Sequence, residues 1–106
     1  MNDHSLIPAG EPLPNEYETL GRDEIHARLK SYISEMLEHN FEKLCQMMYR
    51  HDVSESKFNT ALEAGSLDRQ ADLLADLVIE RELQKVATRR AYRKYKEDAD
   101  KKQIED

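Results

Sequence analysis

Four histidines, one cysteine and a run of glutamates are the residues of this chain that could bind a metal or move a proton. They are His4, His26, His39, His51, Cys45 and the group Glu35, Glu38 and Glu42. Ligands on one helix must stand three or four residues apart to share a face. Cys45 is six residues from both His39 and His51, which turns the three away from one another. Glu35 and His39 do share a face, as ligands in carboxylate bundles do. A dinuclear site would also need matching ligands elsewhere, and the next helical segment offers only Glu55 and Glu63, without a histidine. The face therefore reads as solvated carboxylate, and no metal or other cofactor is expected.

Nucleophilic chemistry has no better basis. Cys45 lies beside Leu44 and Met48 with no basic helix start near it, the setting of an inert, partly buried thiol. His51-Asp52 is a suggestive pair, but Asp52 stands where a helix cap is needed. There is no glycine-rich phosphate loop, no Gly-x-Ser-x-Gly and no zinc spacing. The chain is expected not to be an enzyme. Met36, Met47 and Met48 recur at helical spacing and read as core.

The charges are more informative. Residues 1–80 carry a net −9, residues 81–96 a net +6 and residues 97–106 a net −3. The positive block is Arg81, Lys85, Arg89, Arg90, Arg93, Lys94 and Lys96, interleaved with Tyr92 and Tyr95, against the single acid Glu82. Cations with aromatics between them can track phosphates and stack on bases. They also suit the negative end of a long helix, or an acidic protein partner. Arg89, Arg90, Arg93 and Tyr92 are the candidates for partner or nucleic-acid contact.

These residues need a scaffold, and composition says which kind. With 106 residues, 39% hydrophobic and 36% charged, the chain makes one domain at most. Only 3 Gly and 3 Pro, with apolar residues every three or four positions, predict an all-α fold. No apolar run approaches the ~20 residues that cross a bilayer. The start, Met-Asn-Asp-His, lacks a basic region and a hydrophobic run, so no signal peptide is expected. With Cys45 alone, a reducing cytoplasmic setting fits.

The elements follow from caps and period. Residues 1–20, with Pro8, Pro12 and Pro14, predict an extended tail; Leu6, Ile7, Leu13, Tyr17 and Leu20 could lie along the helical body. Gly21 opens a first helix over about 22–51, with Asp23 and Glu24 in its first turn and Ile25, Leu29, Ile33, Met36, Leu37, Phe41, Leu44 and Met48 as its stripe. Asn40 lies inside that stripe and could instead end the helix early. Asp52 to Glu55 fits a capping box, with Ser54 a cap in a shifted frame. A short second helix carries Phe58, Ala61 and Leu62, Gly65 ends it, and Ser66 caps a third. The helical domain spans 21–96, and residues 97–106 form a charged, fraying tail.

The third helix, Ser66 to about Lys102, has two unlike halves. Ala71, Leu74 and Val78 form a central stripe, flanked by Leu73 and Leu77 on one side and by Ala75 and Ile79 on the other; Asp72, Asp76 and Glu80 hold the narrow polar sector. That arc is wider than one neighbouring helix can cover; the first and second helices could cover it together, or a second copy of the chain could help. We therefore expect a three-helix arrangement with a long first and a long third helix, antiparallel, and a short second. The third should extend beyond the core, and the chain should form a homodimer through Leu73, Leu74, Leu77 and Val78.

Two stretches, Met48-Tyr49-Arg50-His51-Asp52-Val53-Ser54-Glu55 and Leu77-Val78-Ile79-Glu80-Arg81-Glu82-Leu83-Gln84-Lys85, resemble a group of small bacterial helical proteins. The resemblance spans about residues 25–95. It rests on helix junctions and core positions, so it implies a bacterial cytosolic origin and no site residues. The function expected from all of this is a non-enzymatic interaction or regulatory module, with nucleic-acid binding by residues 81–96 as the alternative.

Overall fold

The computed structural model describes residues 10–105, with side chains as far as Ala99. His4, Leu6, Ile7 and Pro8 lie outside the described residues. Every described regular element is a helix: α1 Glu16–Thr19, α2 Arg22–His39, α3 Phe41–Arg50, α4 Glu55–Leu62 and α5 Leu67–Glu105. Among the described residues no helix is long and apolar enough to cross a membrane.

The expected first helix is two helices. Asn40 leaves the helical region at φ −157°, and its Oδ1 accepts from the Lys43 backbone N–H at 3.1 Å. Its short amide competes with the backbone for hydrogen bonds, which ends α2 and starts α3 at one residue. The bend lets Leu44, Met47 and Met48 join Ile25, Leu29, Ile33 and Met36 in one core. Phe41, expected in the stripe, is instead on the surface, stacked on Phe58 at 6.2 Å.

The joint after α3 also differs from expectation. Asp52 has a φ of 60°, Asp52 N–H donates to Tyr49 O, and Val53 N–H donates to Met48 O, both at 3.0 Å. This is a Schellman ending with aspartate in the left-handed position that glycine usually takes. Asp52 therefore closes α3 and does not cap α4. Ser54 caps α4, its hydroxyl accepting from Lys57 N–H at 3.4 Å. Gly65 is not in the left-handed region, so α4 ends without the expected glycine motif. Ser66 caps α5 as its type predicts, accepting from Arg69 N–H at 3.1 Å.

Helix α5 has 39 residues, about 58 Å at 1.5 Å per residue, close to the 60 Å long axis of the molecule. It packs antiparallel to α2. Lys30 meets Asp68 at 3.0 Å, His26 meets Asp72 at 3.1 Å and Arg22 meets Asp76 at 3.7 Å. Each step of four residues back along α2 matches a step of four forward along α5, which fixes the register. Asp72 and Asp76, in the narrow polar sector of the helix, thus face α2 bases.

The segment before α2 is not a loose tail over its described part. Gly10, at φ 122°, turns the chain into a strap over residues 10–20 that includes α1. Its Pro12 and Tyr17 are buried, Tyr17 as part of the core. The helical body therefore begins well before residue 21.

Candidate functional site

Of the four leucine and valine positions expected to mediate self-association, two are sealed inside the chain. Leu74 and Val78 are fully buried, as are Ala71 and Ala75, and Ile79 is 2% exposed. The wide arc of α5 is closed internally, by α2 on one side, α4 on another and the strap near Glu82 and Val86. This corrects the reading of Leu74 and Val78 as self-contact residues. Leu73 and Leu77 differ: they are half-buried and border open space.

That space is a groove between the antiparallel helices α4 and α5. One lobe, about 330 Å³, is floored by Leu73, Leu77 and Ala61 and edged by Thr60, Asp76 and Glu80. A second lobe, about 270 Å³, continues past Leu77 to Arg81 and Gln84 and is closed by Asp52 to Ser54. Lys57, Leu77 and Glu80 line both lobes, so the groove is continuous. Leucines partly open to water thus line the groove beside side chains of both charges.

Beyond Val86 no described side chain of the helix is buried. Residues 87–98 are all exposed, with Tyr92 at 65% and Tyr95 at 73%. The seven cations of residues 81–96 do not stand alike. Arg90 holds Glu18 of α1 at 2.9 Å, and Arg89 approaches the same carboxylate at 4.0 Å. Arg81 and Lys85 lie 3.9 Å from Asp52, and Lys85 is also 3.1 Å from Glu82. Arg93, Lys94 and Lys96 form no ion pair among the described residues.

Beneath the strap lies a cluster that the sequence reading did not assemble. His51 follows α3 and is buried; its Nδ1 is 2.6 Å from Glu82 Oε2, and its Nε2 is 2.5 Å from Glu11 Oε2. Arg50 adds a two-pronged bond to the same Glu11 carboxylate, both contacts at 2.9 Å. The Tyr17 ring meets His51 edge-on, with centroids 6.4 Å apart. Burial alone would push both glutamates up, but bonds from Arg50 and His51 to Glu11, and from His51 and Lys85 to Glu82, hold both below the usual carboxylate range.

A general base needs a free nitrogen facing a substrate. Both His51 nitrogens are occupied and the ring is out of solvent, so this cluster fastens the strap to α3 and α5. Two more acids extend the fastening: Glu16 meets Arg28 of α2 at 2.9 Å, and Glu18 meets Arg90. Three acids on one short segment thus reach three different helices. The sequence did carry a signal for this, since Glu82 is the one acid among seven cations. Besides Lys85 nearby, its partner is His51, 31 residues away, with Glu11 on the other ring nitrogen, a meeting that no local spacing encodes.

The other sequence candidates stay apart. Glu35 and His39 pair with each other at 3.8 Å on the exposed face of α2. Among the described residues no three His, Cys, Asp or Glu side chains converge in a way that would hold a metal. Compared with protein-family models, with curated proteins and with solved structures, the chain matches none.

Proposed function

We propose that this chain is a small non-catalytic interaction module that self-associates through its last helix. The observation that carries the reading is the division of α5's apolar arc. Its own chain covers Ala71, Leu74, Ala75, Val78 and Ile79 completely and leaves Leu73 and Leu77 bordering an open groove. Covering a large aliphatic side chain is worth about 1.5–3 kcal/mol at full burial, so two copies of a leucine pair make a modest but specific contact. The projecting segment after Val86 adds exposed tyrosines, residues suited to interfaces because they are apolar along the ring and polar at the tip.

The test is solution mass by light scattering after gel filtration, at low micromolar concentration. A mass near twice 12.4 kDa is expected. Leu77→Asp should move it to the monomer while costing the fold only about 1 kcal/mol, because Leu77 is half-buried already. A wild-type monomer would overturn the reading.

The alternative is nucleic-acid binding by residues 81–96, favoured by Arg93, Lys94 and Lys96 standing exposed around Tyr92 and Tyr95. Internal pairing of Arg81, Lys85, Arg89 and Arg90 weighs against it. Steeply salt-dependent retardation of an oligonucleotide, lost in the Arg89/Arg90/Arg93 triple alanine variant, would favour it.

A further inference from the structure

The strap over residues 10–20 is fastened to the helices by its side chains. Its backbone hydrogen bonds close on themselves: Glu16 N–H donates to Leu13 O, Glu18 and Thr19 N–H to Asn15 O, and Leu20 N–H to Glu16 O. Among the described residues no backbone hydrogen bond runs from the strap to the helices it crosses. Helix α2 starts without it, Ile25 N–H donating to Gly21 O. Leu20 and Gly21 are both extended, at ψ 153° and 152°, and beyond its chain neighbours nothing stands within 4 Å of where a Gly21 Cβ would be. The joint between strap and body is a straight, uncrowded pair of residues.

The body does not need the strap to close its core. Helices α2 and α4 pack on α5 directly, and of the buried residues that form the core only Tyr17 comes from the strap. Even that anchor is imperfect: the Tyr17 hydroxyl is buried with no hydrogen-bond partner among the described residues, a cost that water would remove on exposure. The rest of the hold is charge, with Glu11 on Arg50 and His51, Glu16 on Arg28 and Glu18 on Arg90. We infer that the strap is an acid-released latch: residues 10–20 open as one unit about Leu20–Gly21 while α2 to α5 stay folded, and Glu11 is the catch.

The groups around Glu11 set the direction. Arg50 and His51 face it from α3 and its end, and Glu82, with Lys85, stands behind His51 on α5. Tyr17 is on the strap itself, while α2 brings Arg28 to Glu16 and Tyr32 beside Gly10. Burial pulls the Glu11 carboxyl up, but Arg50 and His51 hold it below the ordinary 4.5. Arg28 holds Glu16 low in the same way. Once the strap opens, both carboxyls meet water and regain the ordinary value, so the open strap binds protons more readily than the closed one. The catch is fully set above pH 4.5 and loosens as pH falls through the folded values.

Opening has two consequences. It uncovers Pro12 and Tyr17 and the surface they lie on. It also frees Arg89 and Arg90 from Glu18, adding them to Arg93, Lys94 and Lys96 on the projecting half of α5. The closed strap thus withholds part of the basic segment as well as part of the core. The latch does not depend on self-association.

The test is amide hydrogen exchange on the full chain, followed residue by residue by NMR between pH 7 and pH 4 and corrected for the intrinsic rate at each pH. The Leu20 amide, bonded to Glu16 O, reports the strap, and the Val78 amide, at a fully buried position of α5, reports the body. Leu20 should open more readily than Val78 at pH 7, and the ratio of their opening constants should widen by about tenfold or more towards pH 4. Glu11→Gln keeps the side chain's shape and removes its charge. It should raise the Leu20 constant at pH 7 by about tenfold, leave Val78 unmoved and flatten the pH response. Leu20 and Val78 opening with one constant at every pH would overturn the latch, because the strap would then leave only with the whole fold. A Leu20 constant that neither pH nor Glu11→Gln moves, or a Glu11→Gln effect equal at both amides, would overturn Glu11 as the catch.

Discussion

Helix α5 is two structures on one backbone. From Leu67 to Val86 it buries Ala71, Leu74, Ala75, Val78, Ile79, Glu82 and Val86, an i, i+3, i+4, i+7, i+8 pattern that follows the helical period. From Ala87 to Asp98 it buries nothing, yet the helix continues without a break to Glu105. The first half is helical because tertiary packing holds one side of it. The second rests on local propensity: no glycine, proline or β-branched run interrupts it after Thr88. The difference teaches where this molecule keeps its stability and where it keeps its reach. A face that its own core does not use is available to something else.

The strongest way to break the comparison is to place the same change in both halves. Leu74→Asp puts a charge at a fully buried position, and the expected outcome is loss of the cooperative thermal transition. Tyr95→Asp should change the monomer's stability by no more than about 0.5 kcal/mol. If the two variants melted alike, the second half would be bearing on the core after all.

Next in size is the cluster that joins the strap to the buried half. His51→Ala leaves Glu11 and Glu82 facing each other without the ring between them, and the cost should be about 3 kcal/mol. Thermal melts measure it, and faster proteolysis within residues 10–20 would locate it. The same cluster sets an acid dependence. Both glutamates are depressed in the folded chain from the ordinary 4.5. Their contribution is therefore complete above that pH and is lost as pH falls through the folded values. Melts between pH 7 and pH 3 should show that loss, and it should shrink in Glu11→Gln/Glu82→Gln.

The smallest effect belongs to the exposed pairs. Arg89→Ala/Arg90→Ala removes two surface contacts to Glu18, worth at most about 1 kcal/mol and screened by salt. A larger loss would mean that the strap depends on the second half of α5 more than on His51, and would blur the division between the halves.

What the residues determine by themselves is local. Gly21, Ser54 and Ser66 sit one position before α2, α4 and α5, and each acts there because a cap needs only its own neighbours. The all-helical class follows from period and from the scarcity of turn residues, and the two characters of α5 follow from charge. Asn40 marks the limit of local reading: its type permits a break, while the apolar stripe running through it argues for none. Asp52 is harder still, since an aspartate before Ser-Glu satisfies a cap motif and a left-handed ending equally well.

Tertiary structure decided the rest. Whether Leu74 and Leu77 are core or surface depends on where α2, α4 and the strap fall around α5, because an arc on one helix does not say which part its neighbours reach. The strap itself has no period, and Tyr17 and Glu11 acquire their places only from surfaces supplied by other helices. The meeting of Glu11, His51 and Glu82 joins three distant points of the chain. Burial makes it decisive: a carboxylate on the surface is cheap wherever it lies, but a carboxylate under a strap must find its cation, and only the folded chain brings one there.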